Sequence, residues 1–97
     1  MKQVLFDRRA EEELSQSALY YEAQAKGLGL RFLSAVEVAT KKAASNPHIF
    51  STTTKGCRKC RVARFPYAII FREQNDEIQL IAVMHLKRKP NYWNDRI

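Results

Sequence analysis

Apolar residues recur with two different periods along this chain, and the changes of period divide it into elements. The opening "KQVLF", residues 2–6, reads as a short strand. Asp7 then supplies an N-cap carboxylate, and Glu11, Glu12 and Glu13 place negative charge near the positive end of the helix that follows. Ala10, Leu14, Ala18, Tyr21 and Ala25 lie three or four positions apart, one apolar stripe of a helix over about 8–26, with Gly27 and Gly29 expected to end it. From Leu28 the helical period resumes through Phe32/Leu33, Val36, Ala39/Thr40 and Ala43 and stops before Asn46-Pro47, so the two helices predict an antiparallel hairpin. Residues 48–56 keep no period and are expected to be a loop. Beyond them "CRKCRVARF", "AIIFRE" and "EIQLIAVMH" read as three strands, separated by the Phe65-Pro66-Tyr67 turn and the polar run Gln74–Glu77. The pattern predicts an α+β fold in the order β-α-α-β-β-β, an antiparallel sheet packed against a helical hairpin. "AIIF" and "LIAV" are apolar at successive positions, so both sheet faces at the centre are expected to be covered, one of them by the hairpin.

Ninety-seven residues, of which 45% are hydrophobic and 28% charged, suit one folded domain spanning 1–97. Charge changes the picture more than composition does. The net charge is +7, and its distribution is uneven: residues 1–50 carry seven Lys/Arg against six Asp/Glu, residues 51–97 ten against four. A cationic C-terminal half points to a polyanionic or acidic partner. No apolar run approaches membrane-spanning length and no signal-peptide pattern opens the chain, so a cytoplasmic protein with no membrane partner is expected. Cys57 and Cys60 form a single CxxC with no second pair. On a strand their side chains point to opposite faces, so neither a metal site nor any cofactor is expected.

Candidate chemistry gathers at two places. On the first meander strand, alternation assigns Lys59, Arg61 and Phe65 to one face and Arg58, Cys60, Val62 and Arg64 to the other. Directly after the last strand come Lys87, Arg88 and Lys89, followed by Tyr92 and Trp93. Antiparallel pairing would bring the two clusters near each other as one phosphate- or acid-binding surface, with Arg58, Arg64, Lys87 and Trp93 as contact residues. Trp93 has two readings, a stacking platform or a lid over the core. His85 ends the last apolar strand and offers a general acid/base, against a structural role as a hydrogen-bonded residue. No arrangement for a covalent nucleophile is visible. A metal-independent ribonuclease would need only a base, an acid and cations on the phosphate.

Three stretches, "ELSQSALYYEAQAKGLGLRFLSAVE" (13–37), "CRVARFPYAIIFRE" (60–73) and "IQLIAVMHLKRKPNYWNDR" (78–96), resemble in order and spacing the RelE/ParE superfamily of type II toxin–antitoxin toxins. The YYE…GLG hairpin, the R-F-P-Y turn and the H-x-K-R-x-P-x-Y-W ending resemble the ParE-like plasmid-stabilisation branch. The resemblance implies a growth-arresting toxin, forming a hetero-oligomer with a cognate antitoxin that wraps it. ParE-like members inhibit DNA gyrase, whereas RelE-like members cut mRNA on the ribosome. Against the ribonuclease pattern, Lys59, Arg61 and Arg88 fall on functional basic positions and Tyr92 lies near the catalytic tyrosine. Ala68, however, stands where that pattern has an arginine, and the Arg88-to-Tyr92 spacing is short. A missing phosphate-stabilising cation costs ~10²–10³ in rate. Gyrase inhibition is therefore the leading expectation, mRNA cleavage by Lys59, Arg61, Arg88 and Tyr92 or His85 the alternative, and a non-toxic binding module the third.

Overall fold

Asp7 is the hinge between the first two elements. Its carboxylate accepts the backbone N–H of Arg9 at 2.8 Å, starting helix α1 (Arg8–Gln24) straight after strand β1 (Gln3–Phe6). In the computed structural model, which describes residues 1–97, α2 (Leu28–Ser45) follows, then a 3₁₀ turn (Pro47–Ile49), β2 (Ser51–Thr52), β3 (Arg58–Arg61), β4 (Tyr67–Gln74) and β5 (Glu77–His85). A 3₁₀ turn at Asn94–Arg96 closes the chain. The two helices pack on one face of a five-stranded sheet of order β1-β5-β4-β3-β2. No helix is long and apolar enough to cross a membrane.

The β3–β4–β5 meander is antiparallel as expected, but the sheet as a whole is mixed. β1 runs parallel to β5, with Gln3 opposite Glu77 and Phe6 opposite Leu80. The expected loop over 48–56 also contains β2, whose two residues pair with Lys59 and Arg58. "CRKCRVARF" is not one strand to its end: β3 stops at Arg61, and Arg64 takes φ 72° in the turn to β4. Phe65 is thereby carried to the helix side, packing on Tyr21 and Phe32 rather than sharing a face with Lys59.

The helical hairpin turns at Gly27, whose φ of 83° suits glycine. Gly29 does not end the first helix. It lies buried in the first turn of α2, where a Cβ would stand 2.6 Å from the Ala18 carbonyl oxygen, so its missing side chain lets the helices close. Glu22 completes the joint by accepting the N–H groups of Gly27 and Gly29 at 3.0–3.1 Å. These two bonds hold its carboxyl below the usual range.

Two apolar clusters lie on opposite faces of the sheet. The helix side buries Phe32, Val36, Cys60, Val62, Ile69, Phe71, Ile78 and Leu80. The far side buries Cys57, Ala68, Ile70, Ile81, Ala82, Met84 and Trp93. A bulge lets Ile70 pair with Ala82 and Phe71 with Leu80, leaving Ile81 as the extra residue. Cys57 and Cys60 face opposite clusters as alternation predicts, and burial raises both thiol pKa values.

Candidate functional site

The far face of the sheet is covered by residues 86–97, a strap that ends the chain. Trp93 is its anchor, 1% exposed against Ala68, Ile70 and Met84. The lid reading of Trp93 therefore holds, and its assignment as a contact residue is corrected: a ring sealed against the sheet presents no face to a partner. Asn91 and Asn94 receive the Thr54 hydroxyl, and Lys55 Nζ donates to the Asn94 carbonyl at 3.2 Å, tying the strap to the β2–β3 loop.

At the other side the strap meets β5 where β1 has run out. β1 has four residues and β5 nine, so the edge of β5 beyond Leu80 lacks a neighbouring strand. Asp7 N–H makes the last backbone bond, to the Leu80 carbonyl at 2.9 Å. Beyond it, Arg96 Nη1 donates to the Ile81 carbonyl at 3.0 Å and Val83 N–H donates to Glu13 Oε1 at 3.1 Å. An ion pair between these two side chains, with Arg96 Nη1 and Nη2 on Glu13 Oε1 and Oε2 at 2.9 and 3.0 Å, takes the place of missing strand. Its partners' side chains are only 9% and 17% exposed.

Tyr92 joins this clamp by donating its phenol to Glu13 Oε2 at 2.6 Å. Burial first, and then the hydrogen bond and charge of Glu13, push the phenol pKa well above the ordinary tyrosine value, although Arg96 and Arg88 pull the other way. A phenol so held is a hydrogen-bond donor and a poor base. Arg88, exposed, lays its guanidinium carbon 3.9 Å from the centre of the Tyr92 ring. His85 packs edge-on against Tyr67, their ring centres 5.0 Å apart, and its Nδ1 accepts the Lys87 N–H at 3.0 Å. That bond puts the proton of the neutral imidazole on Nε2.

The remaining candidates divide between the faces. Lys59 leaves β3 on the strap side, opposite Ile70, while Arg61, opposite Ala68 at the last position of β3, also borders the space between α2 and the β3–β4 turn. The register sets Arg61 opposite Ala68 and Ala68 opposite Met84, at the end of the sheet where β5 passes into the arm Lys87–Lys89, whereas Lys59 lies farther back, in line with Ile70 and Ala82. Arg58 points to the helix side, where its Nη1 donates to the Phe50 carbonyl at 2.7 Å, so it fastens the chain entering β2. Ala68 is fully buried in the far cluster with Trp93.

No Lys or Arg from Lys42 to Lys89 makes a salt bridge, whereas the five paired cations, Lys2, Arg8, Arg9, Lys41 and Arg96, lie outside or at the edge of that range. Apart from Arg96, no lysine or arginine of the C-terminal half is ion-paired within the chain. Part of this unpaired charge lines a groove of about 700 Å³ between α2 and the β3–β4 turn, where Leu28, Leu30, Val38 and Phe65 lie among Arg31, Lys42, Arg61 and Arg64. Leu30 and Val38 are 70% and 51% exposed there, and no acidic residue lines the groove.

Sequence reasoning missed Glu13, which it assigned to the helix dipole. A signal was present: positions 10, 13, 14, 17, 18 and 21 share the inward stripe of α1, so Glu13 is an acid on a buried face. The turn motif also proves structural. Phe65 lies 5.0 and 5.1 Å from Tyr21 and Phe32, and Tyr67 lies 4.8 Å from Phe32 while its hydroxyl meets Ser17 Oγ at 2.9 Å.

No protein-family model matches the sequence, and no curated protein matches it. Among solved structures the chain is similar to one in "Chromosomal ParDE TA system from P. aeruginosa", with 19% sequence identity and a TM-score of 0.63. The match covers 88% of this chain and 96% of the other. The likeness is one of fold: a helical hairpin on a mixed five-stranded sheet.

Proposed function

We propose that this protein is the toxin of a toxin–antitoxin module, that it arrests growth by inhibiting DNA gyrase, and that a cognate antitoxin neutralises it. The observation that carries the reading is the set of unpaired cations from Lys42 to Lys89, together with the apolar groove it borders. A surface of this kind is complementary to an amphipathic acidic segment, whose apolar side would cover Leu30 and Val38 and whose carboxylates would meet Arg31, Lys42, Arg61 and Arg64. The fold shared with a chain of a ParDE toxin–antitoxin system supports the same reading.

Gyrase is preferred to mRNA for two reasons of chemistry. The Tyr92 phenol is engaged by Glu13 and its pKa is raised, which disfavours it as a proton acceptor near neutral pH. Ala68 supplies no cation and is covered by the strap. Exposed Arg61 and Arg88, with half-buried Lys59, favour the second reading, ribosome-dependent cleavage with His85 moving the proton.

Inducible expression separates the readings. Gyrase inhibition predicts growth arrest with loss of supercoiling by purified gyrase and with messages intact. New mRNA 5′ ends without an effect on supercoiling would replace it by the ribonuclease reading. Growth unaffected by expression would leave a binding module. Co-expression of a small neighbouring reading frame should restore growth if that frame encodes the antitoxin.

A further inference from the structure

Arg88 is the one cation of the exposed arm held over an aromatic ring. Its side chain makes no hydrogen bond and no salt bridge, so the Tyr92 face at 3.9 Å is what restricts its rotamers. The ring is in turn oriented by its phenol, which reaches across the end of the sheet to a residue 79 positions earlier, Glu13. We propose that Glu13 is a positioning residue for Arg88, acting through Tyr92, and that it fixes the cationic arm in the direction from which it meets its target. The inference deepens the function proposed above and rests on it for the identity of the surface, but not for the geometry.

Glu13 is suited to this task because its own charge is already matched. Arg96 occupies both carboxylate oxygens, and Val83 N–H and the Tyr92 hydroxyl complete the set of acceptor contacts. The ring is therefore fixed by a neutral ion pair, and the charges of Lys87, Arg88 and Lys89 are left to act outward. A free carboxylate beside the ring would have drawn Arg88 inward and cancelled the field it presents. Asp95, the one acid of the strap itself, is directed to Arg9 on α1 at 3.6 Å.

A purely structural role would hold the strap down without affecting Arg88, and the two roles separate experimentally. In the full-length protein, Glu13→Gln keeps an acceptor for the phenol but gives up the ion pair, Tyr92→Phe keeps the ring without its tether, and Tyr92→Leu removes the ring. The Arg88 side-chain N–H signal in NMR, with the ring-current shift of its neighbouring methylene, reports the stacking directly. The expected result is a graded loss of that shift, partial in Glu13→Gln and Tyr92→Phe and complete in Tyr92→Leu. Arrest potency should weaken by about two- to fivefold where stacking is lost, the factor corresponding to an exposed cation–π contact. Ile78→Val, a conservative change on the opposite sheet face, serves as a control for lowered stability and should keep full potency. An Arg88 signal unchanged in both Glu13→Gln and Tyr92→Phe would overturn the proposal, whatever Tyr92→Leu shows, as would equal loss of potency in Ile78→Val at the same melting temperature. If the unaltered protein arrests nothing, the function proposed above fails, while the NMR shift still decides the positioning role.

Discussion

The phenol of Tyr92 donates a 2.6 Å hydrogen bond to Oε2 of Glu13, joining the end of the chain to the first helix. Burial and the adjacent carboxylate raise its pKa above the ordinary value of 10.0. A raised folded pKa contributes stability fully below the unfolded pKa and loses it as pH rises toward the folded one, because the unfolded state releases its proton first. Stability should therefore fall above pH 10, and tyrosinate absorbance should show Tyr92 ionising late. Tyr92→Phe should shrink that late phase, to which Tyr21, also raised by burial, contributes, and should flatten the alkaline decline. A Tyr92 that ionises with an unshifted midpoint would contradict the clamp.

Arg96→Ala should be among the costliest changes to a charged residue. It leaves Glu13 on a largely covered site without its counter-ion and frees the Ile81 carbonyl. Loss of one partner of a buried pair costs about 3–5 kcal/mol, and the partial exposure here places the expectation near the lower end. Urea unfolding measures it. A loss below about 1 kcal/mol would reduce the pair to an ordinary surface contact.

Trp93→Ala should cost about 3–5 kcal/mol, since it empties a fully buried ring from the far cluster. The same change should make residues 86–97 accessible to protease and raise amide exchange in β4, because Ala68 and Ile70 lose their cover. Retained protection of β4 would show that the rest of the strap covers the sheet without its anchor.

Two glycines two positions apart should respond for different reasons. Gly29→Ala gains helix propensity of about 1 kcal/mol, yet its Cβ would meet backbone, the Ala18 carbonyl oxygen, at 2.6 Å. Overpacking of this kind costs about 1–3 kcal/mol, so net destabilisation is expected. Gly27→Ala meets no atom within 4 Å and should lose about 1–2 kcal/mol from its positive φ alone. Thermal unfolding of both variants checks the contrast; a more stable Gly29→Ala would mean that the hairpin opens freely.

Val38→Glu should leave the fold within about 0.5 kcal/mol, because the side chain is half exposed. If the groove receives an acidic amphipathic segment, the added carboxylate weakens its capture by removing apolar area and lowering the positive potential. Titration of the variant with the co-expressed antitoxin measures this. Unchanged affinity would move the docking surface elsewhere.

Much of the fold was legible because its signals are local. The stripe from Ala10 to Tyr21, Asp7 as a cap and the apolar runs in β4 and β5 each record an environment repeated within one element. The parallel pairing of β1 with β5 left no such mark: Gln3–Phe6 are compatible with any strand neighbour, and only the nine residues of β5 beside a four-residue β1 leave an edge to be filled. Gly29 looked like a helix stop because local rules favour that, whereas a backbone approach from α1 decides its role.

For the candidate site the division is similar. By itself the sequence determined that the C-terminal half is cationic, that Cys57 and Cys60 diverge and that Arg88 follows the last strand. Only the tertiary structure decided that Trp93 is buried, that Arg58 is spent on the Phe50 carbonyl, and that Tyr92 answers to Glu13 rather than to solvent. The reason is physical: side-chain period reports which face a residue occupies, but a hydrogen bond or an ion pair depends on which distant groups the folded chain brings within about 3 Å of one another.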